Sequence, residues 1–157
     1  MSAAKVLEAL EARGWSLAIA ESLTGGLLAD AFVSVPGASK VLRGSVVAYA
    51  TELKQELLGV DAELLAAKGA VDEEVAFEMA VGVANRLGAD VAISATGVAG
   101  PDAQDGKPVG TVFVGFVTPE LSDVVELKLA GTRDEIRKAT VEAAVRGLLI
   151  VLTGNSQ

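Results

Sequence analysis

The stretch ADVAISATG, residues 89–97, is apolar almost throughout. A strand with one wet face alternates polar and apolar residues, whereas a run without alternation marks a strand buried on both faces. Such a strand belongs at the centre of a sheet covered by helices on both sides, and the rest of the chain fits that frame. Upstream, Asp72 to Arg86 reads as a helix with Ala76, Ala80, Val83 and Leu87 on one face and Gly88 as its stop. Downstream, Val98 to Pro108 is irregular. VGTVFVGFV (109–117) and DVVELKLA (123–130) then read as adjacent strands joined by the turn TPELS. A last helix opens at Thr132 with Glu135 three residues on, the capping-box spacing, and runs through Ile150.

Toward the amino terminus, residues 3–13 form a helix on Val6, Leu7 and Leu10, ended by Gly14. WSLAIAE (15–21) is a strand and leads into a helix through Leu27, Leu28, Ala31 and Phe32. VPGAS (35–39) is a turn, and VLRGSVVAYAT (41–51) has strand composition. Thr51 is the expected N-cap of a helix reaching Gly59, and a further helix spans Asp61 to Gly69. Strands alternating with helices, and a hairpin-like pair late in the chain, predict an α/β fold: a three-layer α/β/α sandwich with a mixed, mostly parallel sheet of about five strands. Residues 1–157 read as one domain, with glycines dispersed and no linker.

Composition removes whole classes of chemistry. The chain has no histidine and no cysteine, which excludes Ser-His-Asp triads, thiol nucleophiles and zinc sites built on imidazole or thiolate. Covalent catalysis is left to Ser, Thr, Asp, Glu, Tyr or Lys. A formal net charge of -8 disfavours a nucleic acid partner. No apolar stretch is long enough to cross a bilayer, and the amino terminus, broken by Lys5, Glu8 and Glu11, has no secretion signal, so a cytoplasmic location is expected.

Within these limits AESLTGGLLAD, residues 20–30, admits two readings. In one, Ser22 or Thr24 caps the following helix and Gly25 and Gly26 permit close packing. In the other, Ser22 is a nucleophile at the positive end of that helix, with backbone N–H groups of Thr24, Gly25 and Gly26 facing a developing oxyanion. A serine nucleophile needs a base. YATELK, residues 49–54, offers the Tyr49 phenol and the Lys54 amine, though a lysine near pH 7 must be moved down by about three units from roughly 10.4, mostly by burial. SATGVAGP, residues 94–101, is a glycine-rich segment at a strand end, where open sheets bind ligands. In GTRDEIR, residues 131–137, Arg137 is placed to grip a phosphate together with Thr96 and the Gly97 to Gly100 backbone.

Taken together, AESLTGG, VPGASKVLRGSVVAYATELKQELLGV, GAVDEEVA, ISATGVAGP, KPVGTVFVGF and GTRDEIR resemble, in order and spacing over nearly the whole chain, the CinA carboxy-terminal domain family, whose characterised members include nicotinamide mononucleotide deamidases. The resemblance implies hydrolysis of the carboxamide of nicotinamide mononucleotide. It implies a nucleophile at Ser22 activated by Tyr49 and Lys54, substrate contacts from Thr24, Gly25, Gly26, Thr96, Gly97, Gly100 and Arg137, no metal or cofactor, and a homodimer. Two departures stand out: Leu23 replaces a frequent Cys, and Asp102 to Gly106 lacks the family's usual glycine pair, Ala103 and Gln104 standing there instead. The family's larger members carry a further amino-terminal domain, so the chain is expected to be a stand-alone form or an excised piece. Other readings are a nucleotide-binding or regulatory module of the same fold, and a serine amidase for a different amide.

Overall fold

The computed structural model describes residues 2–154. Its elements in chain order are α1 (Ser2–Arg13), β1 (Leu17–Glu21), α2 (Leu27–Val33), a short 3-10 turn (Ala38–Lys40), β2 (Leu42–Val47), α3 (Thr51–Leu58), α4 (Ala62–Lys68), α5 (Glu73–Leu87), β3 (Val91–Gly97), β4 (Thr111–Val117), β5 (Ser122–Lys128) and α6 (Arg133–Thr153). The sheet order is β2-β1-β3-β4-β5, so the apolar run at 89–97 supplies the middle strand. β1 pairs in parallel with β2 and with β3. β4 runs against both β3 and β5, which leaves β4 alone opposed to the other four. The fold is therefore the three-layer α/β/α sandwich with a mixed sheet that the pattern predicts.

Alternation along the central strands divides the core into two layers. Leu17 and Ile19 of β1 and Val91, Ile93 and Ala95 of β3 face α1, α2 and α6, where Leu10, Phe32, Ile136 and Leu148 complete the packing. Ala18, Ala20 and Ala92 face the other way, against Val75, Met79, Ala80 and Val83 of α5 and Leu58 of α3. The small residues on this second face let α5 lie close to the sheet: a Cβ at Gly115 would fall 2.7 Å from the Ala76 carbonyl oxygen. α3 in turn rests on α5 at Gly82, where a Cβ would stand 1.8 Å from the carbonyl oxygen of Leu58.

Helix ends follow their side chains, with two corrections. Thr132 and Glu135 form the reciprocal capping box of α6, and Asp72 caps α5 through the N–H groups of Glu74 and Val75. Thr51 does not cap α3. It is the first helical residue, and Ala50 precedes it with no side-chain cap. β2 also ends earlier than its composition suggests, because from Ala48 onward the carbonyls turn toward the Lys54 amine.

Candidate active site

Ser22, Tyr49 and the segment from Thr96 to Gly100 all lie at or beyond the carboxyl ends of β1, β2 and β3, which run in parallel. This is the edge of an open α/β sheet where ligands bind. Glu21 builds the local geometry. Its side chain is completely buried, and Oε1 accepts the N–H groups of Gly26 and Leu28, each at 3.0 Å. Oε2 accepts the N–H of Ala29 at 3.2 Å and the hydroxyl of Ser45 at 2.8 Å. Four donors, three from a helix N-terminus, compensate for removing this carboxylate from water. The capping expected of Ser22 or Thr24 is thus performed by Glu21. The helix N-cap is Gly26, in a left-handed conformation without a side-chain cap bond. Gly25 and Gly26 have φ of 55° and 109°, so both glycines are required by the turn itself. A bond from the Ser22 N–H to Ala95 O at 3.1 Å ties the serine to the central strand.

Lys54 reaches this turn from the first turns of α3. Its Nζ lies 2.9 Å from Ser22 Oγ, 2.6 Å from Ala48 O and 3.3 Å from Tyr49 O, and the side chain is fully buried. None of the ion pairs among the described residues involves it. Burial pushes its pKa down to about 8, against the opposing pull of Glu52. As an ammonium, Nζ donates to all three oxygens; as a neutral amine it can keep its two N–H bonds to the carbonyls and turn its lone pair to the Ser22 hydroxyl.

Tyr49 takes a different place from the one expected. The residue is 61% exposed, and its phenol accepts a hydrogen bond from Arg133 Nη2 at 2.9 Å, with no bond to Ser22 or Lys54. What Tyr49 gives the lysine is its main-chain carbonyl.

Between these walls is a cleft of about 390 Å³ that holds Ser22, Tyr49, Thr96, Gly97, Gly100 and Arg133, roofed by residues 101–104. The roof is tied down on the far side, where Asp105 accepts the Ala70 N–H at 3.3 Å and Lys107 donates to Val71 O at 2.6 Å. The segment from Asp102 to Gly106 is thus an anchored tight turn. Thr96 lines the cleft, but its hydroxyl donates to Ala70 O at 2.7 Å. Gly97 is needed for packing, since a Cβ there would lie 2.8 Å from Thr111 O, and Gly100 has a left-handed φ of 90°. Arg137 corrects the sequence reading most: Nε donates to Leu23 O at 2.8 Å and Nη2 to Thr24 O at 3.1 Å, and it has no part in the cleft wall. Its guanidinium clamps the serine turn. Two residues that matter here, Glu21 and Arg133, escaped the sequence reading. A charged side chain ending an apolar strand was the available signal for Glu21. A larger groove of about 520 Å³ between α3 and α5 contains no nucleophile beside a base.

Fold and site together define a class: a three-layer α/β domain with a histidine-free serine–lysine pair at the carboxyl edge of its parallel strands. The chain belongs to the CinA C-terminal domain family, whose model matches residues 1–152. It is 48% identical over 149 residues to a CinA-like protein of Frankia casuarinae, covering 95% of this chain and 34% of that protein. It thus spans about a third of the length of the curated relatives it matches. Among solved structures, a CinA superfamily protein from Klebsiella pneumoniae superposes with a TM-score of 0.93 at 34% identity, covering 98% of this chain and 97% of that one. The competence/damage inducible protein CihA from Agrobacterium tumefaciens gives 0.90 at 35% identity, covering 96% and 93%.

Proposed function

We propose that the chain is an amidohydrolase that converts nicotinamide mononucleotide to nicotinic acid mononucleotide and ammonia through an acyl-enzyme on Ser22. The observation that carries this reading is the buried Lys54 amine, without a carboxylate partner among the described residues, 2.9 Å from Ser22 Oγ. A base titrating at about 8 is neutral in about a tenth of molecules at pH 7, against about three in ten thousand for an ordinary lysine. The choice of substrate rests on the family resemblance of the sequence motifs.

In the proposed reaction, neutral Lys54 takes the hydroxyl proton as Ser22 Oγ bonds to the amide carbon. The resulting ammonium returns that proton to the departing nitrogen as the C–N bond breaks, and ammonia leaves. Water then adds to the ester, Lys54 again serves as base, and the carboxylate is released with Ser22 regenerated. Two of the three N–H groups expected to face the oxyanion are already bonded elsewhere. The Gly25 N–H is bonded to Ser22 O at 3.1 Å and the Gly26 N–H to Glu21, whereas the N–H groups of Leu23 and Thr24 have no partner among the described residues, and of these two residues Leu23, next to the nucleophile, is the one on the cleft wall. Leu23 N–H is therefore assigned to the oxyanion.

The test is ammonia release from nicotinamide mononucleotide by the purified protein without added metal. Ser22→Ala should reduce turnover by at least about 10⁴-fold while nucleotide binding persists. Undiminished turnover in that variant refutes the nucleophile. Binding without consumption by the unaltered protein points instead to a regulatory module.

A further inference from the structure

Arg133 stands out against the rest of the cleft. It and Asp102 are the charged side chains of the wall, and no ion pair joins them, or joins Arg133 to any other carboxylate, among the described residues. In a chain with 21 acidic and 13 basic residues, a guanidinium lodged on neutral oxygens alone is a cation without its anion. Its two bonds are unequal in kind. Nη1 donates at 2.6 Å to the main-chain carbonyl of Gly100, whose left-handed φ of 90° and close approach to Val109 leave little room for a side chain. Nη2 donates to the phenol of the exposed Tyr49, and Nε carries no bond among the described residues. The Nε–Nη2 edge is thus oriented by its anchor at Gly100 and held by only one exposed, neutral partner.

The two side chains expected to take a phosphate, beside the Gly97 to Gly100 backbone, are already bonded elsewhere. The Thr96 hydroxyl gives its proton to Ala70, and Arg137 is occupied by the carbonyls of Leu23 and Thr24. We infer that Arg133 is the specificity-determining residue of the cleft: its Nε–Nη2 edge releases the Tyr49 phenol and takes the phosphate monoester of the substrate as a fork, selecting phosphorylated over unphosphorylated pyridine nucleosides. This inference rests on the amidohydrolase reading for its choice of ligand. Because Gly100 holds the other nitrogen, much of the ordering of a long side chain is complete before ligand arrives.

The experiment compares kcat/KM for nicotinamide mononucleotide and for nicotinamide riboside in the unaltered protein, Arg133→Gln and Arg133→Lys. Arg133→Gln should cut the nucleotide-to-nucleoside ratio at least about tenfold, chiefly through KM, and Arg133→Lys, which keeps charge but not the planar fork, should recover part of it. A ratio unchanged in Arg133→Gln, or equal losses on both substrates, overturns the assignment. If the unaltered protein releases ammonia from neither compound, the amidohydrolase reading has failed on its own. Calorimetric titration with nicotinic acid mononucleotide and with inorganic phosphate then decides: binding weakened at least about tenfold in Arg133→Gln supports the anion site, and equal affinity overturns it.

Discussion

Replacing Lys54 with Met keeps an apolar stem in the same burial and deletes only the amine, so the variant isolates what that amine costs and does. In the unfolded chain the amine holds its proton up to about 10.5, in the folded chain only to about 8. Below pH 8 both states are charged, and the native protein bears a buried ammonium. Between these values the unfolded state binds a proton that the native state lacks, so stability rises with pH; above about 10.5 both are neutral and the rise stops. A gap of about 2.5 units at about 1.36 kcal/mol each amounts to about 3 kcal/mol. The carbonyls of Ala48 and Tyr49 lose a donor in Lys54→Met at every pH, which offsets the two proteins by a constant and leaves the slope alone. Urea unfolding at several pH values from about 7.5 to 10.5 should therefore show unaltered protein gaining about 3 kcal/mol relative to the variant. A difference that stays flat across that window would mean that the fold does not suppress the charge, and the case for Lys54 as base would fall with it.

Two further outcomes follow from the turn around Ser22. Glu21→Gln supplies one acceptor oxygen in place of two and turns an amide toward backbone N–H groups, so thermal unfolding should report a loss of about 3 kcal/mol; an unchanged melting temperature would contradict the role given to this carboxylate. Arg137→Ala should lower kcat about tenfold or more with little change in KM, because the guanidinium holds the carbonyls of Leu23 and Thr24 and does not line the cleft. Steady-state kinetics showing the reverse, a raised KM at constant kcat, would return Arg137 to the phosphate.

Much of the architecture could be read from local pattern, because each layer imposes its own period. Within the unalternating run at 89–97, Val91 to Thr96 are buried and form the middle strand with Gly97, and the Thr132 and Glu135 spacing yields both bonds of a capping box. The pairing of Ser22 with Lys54 was legible for a different reason: without histidine or cysteine, few side chains remained that could activate a hydroxyl. What was not legible is where each remaining donor points. Composition puts Arg133 and Arg137 on the same helix, four residues apart, yet one faces the cleft and the other the back of the serine turn. Thr96 shows the same limit, since whether its hydroxyl serves a ligand or the Ala70 carbonyl depends on a segment 26 residues away. Gly25 and Gly26 were expected to present N–H groups to substrate; the buried Glu21 claims one and the turn itself the other.

Gly82 lies on α5, outside the cleft, and touches neither Ser22 nor Lys54. Its missing side chain nevertheless sets how deep α3 can sink, and α3 carries the amine. The gap across which a proton must hop is gauged from behind, by the bare spine of a neighbouring helix. A single methyl group there would lift the whole rod bearing the lysine, and chemistry that tolerates no slack would be lost through a site that meets no reactant.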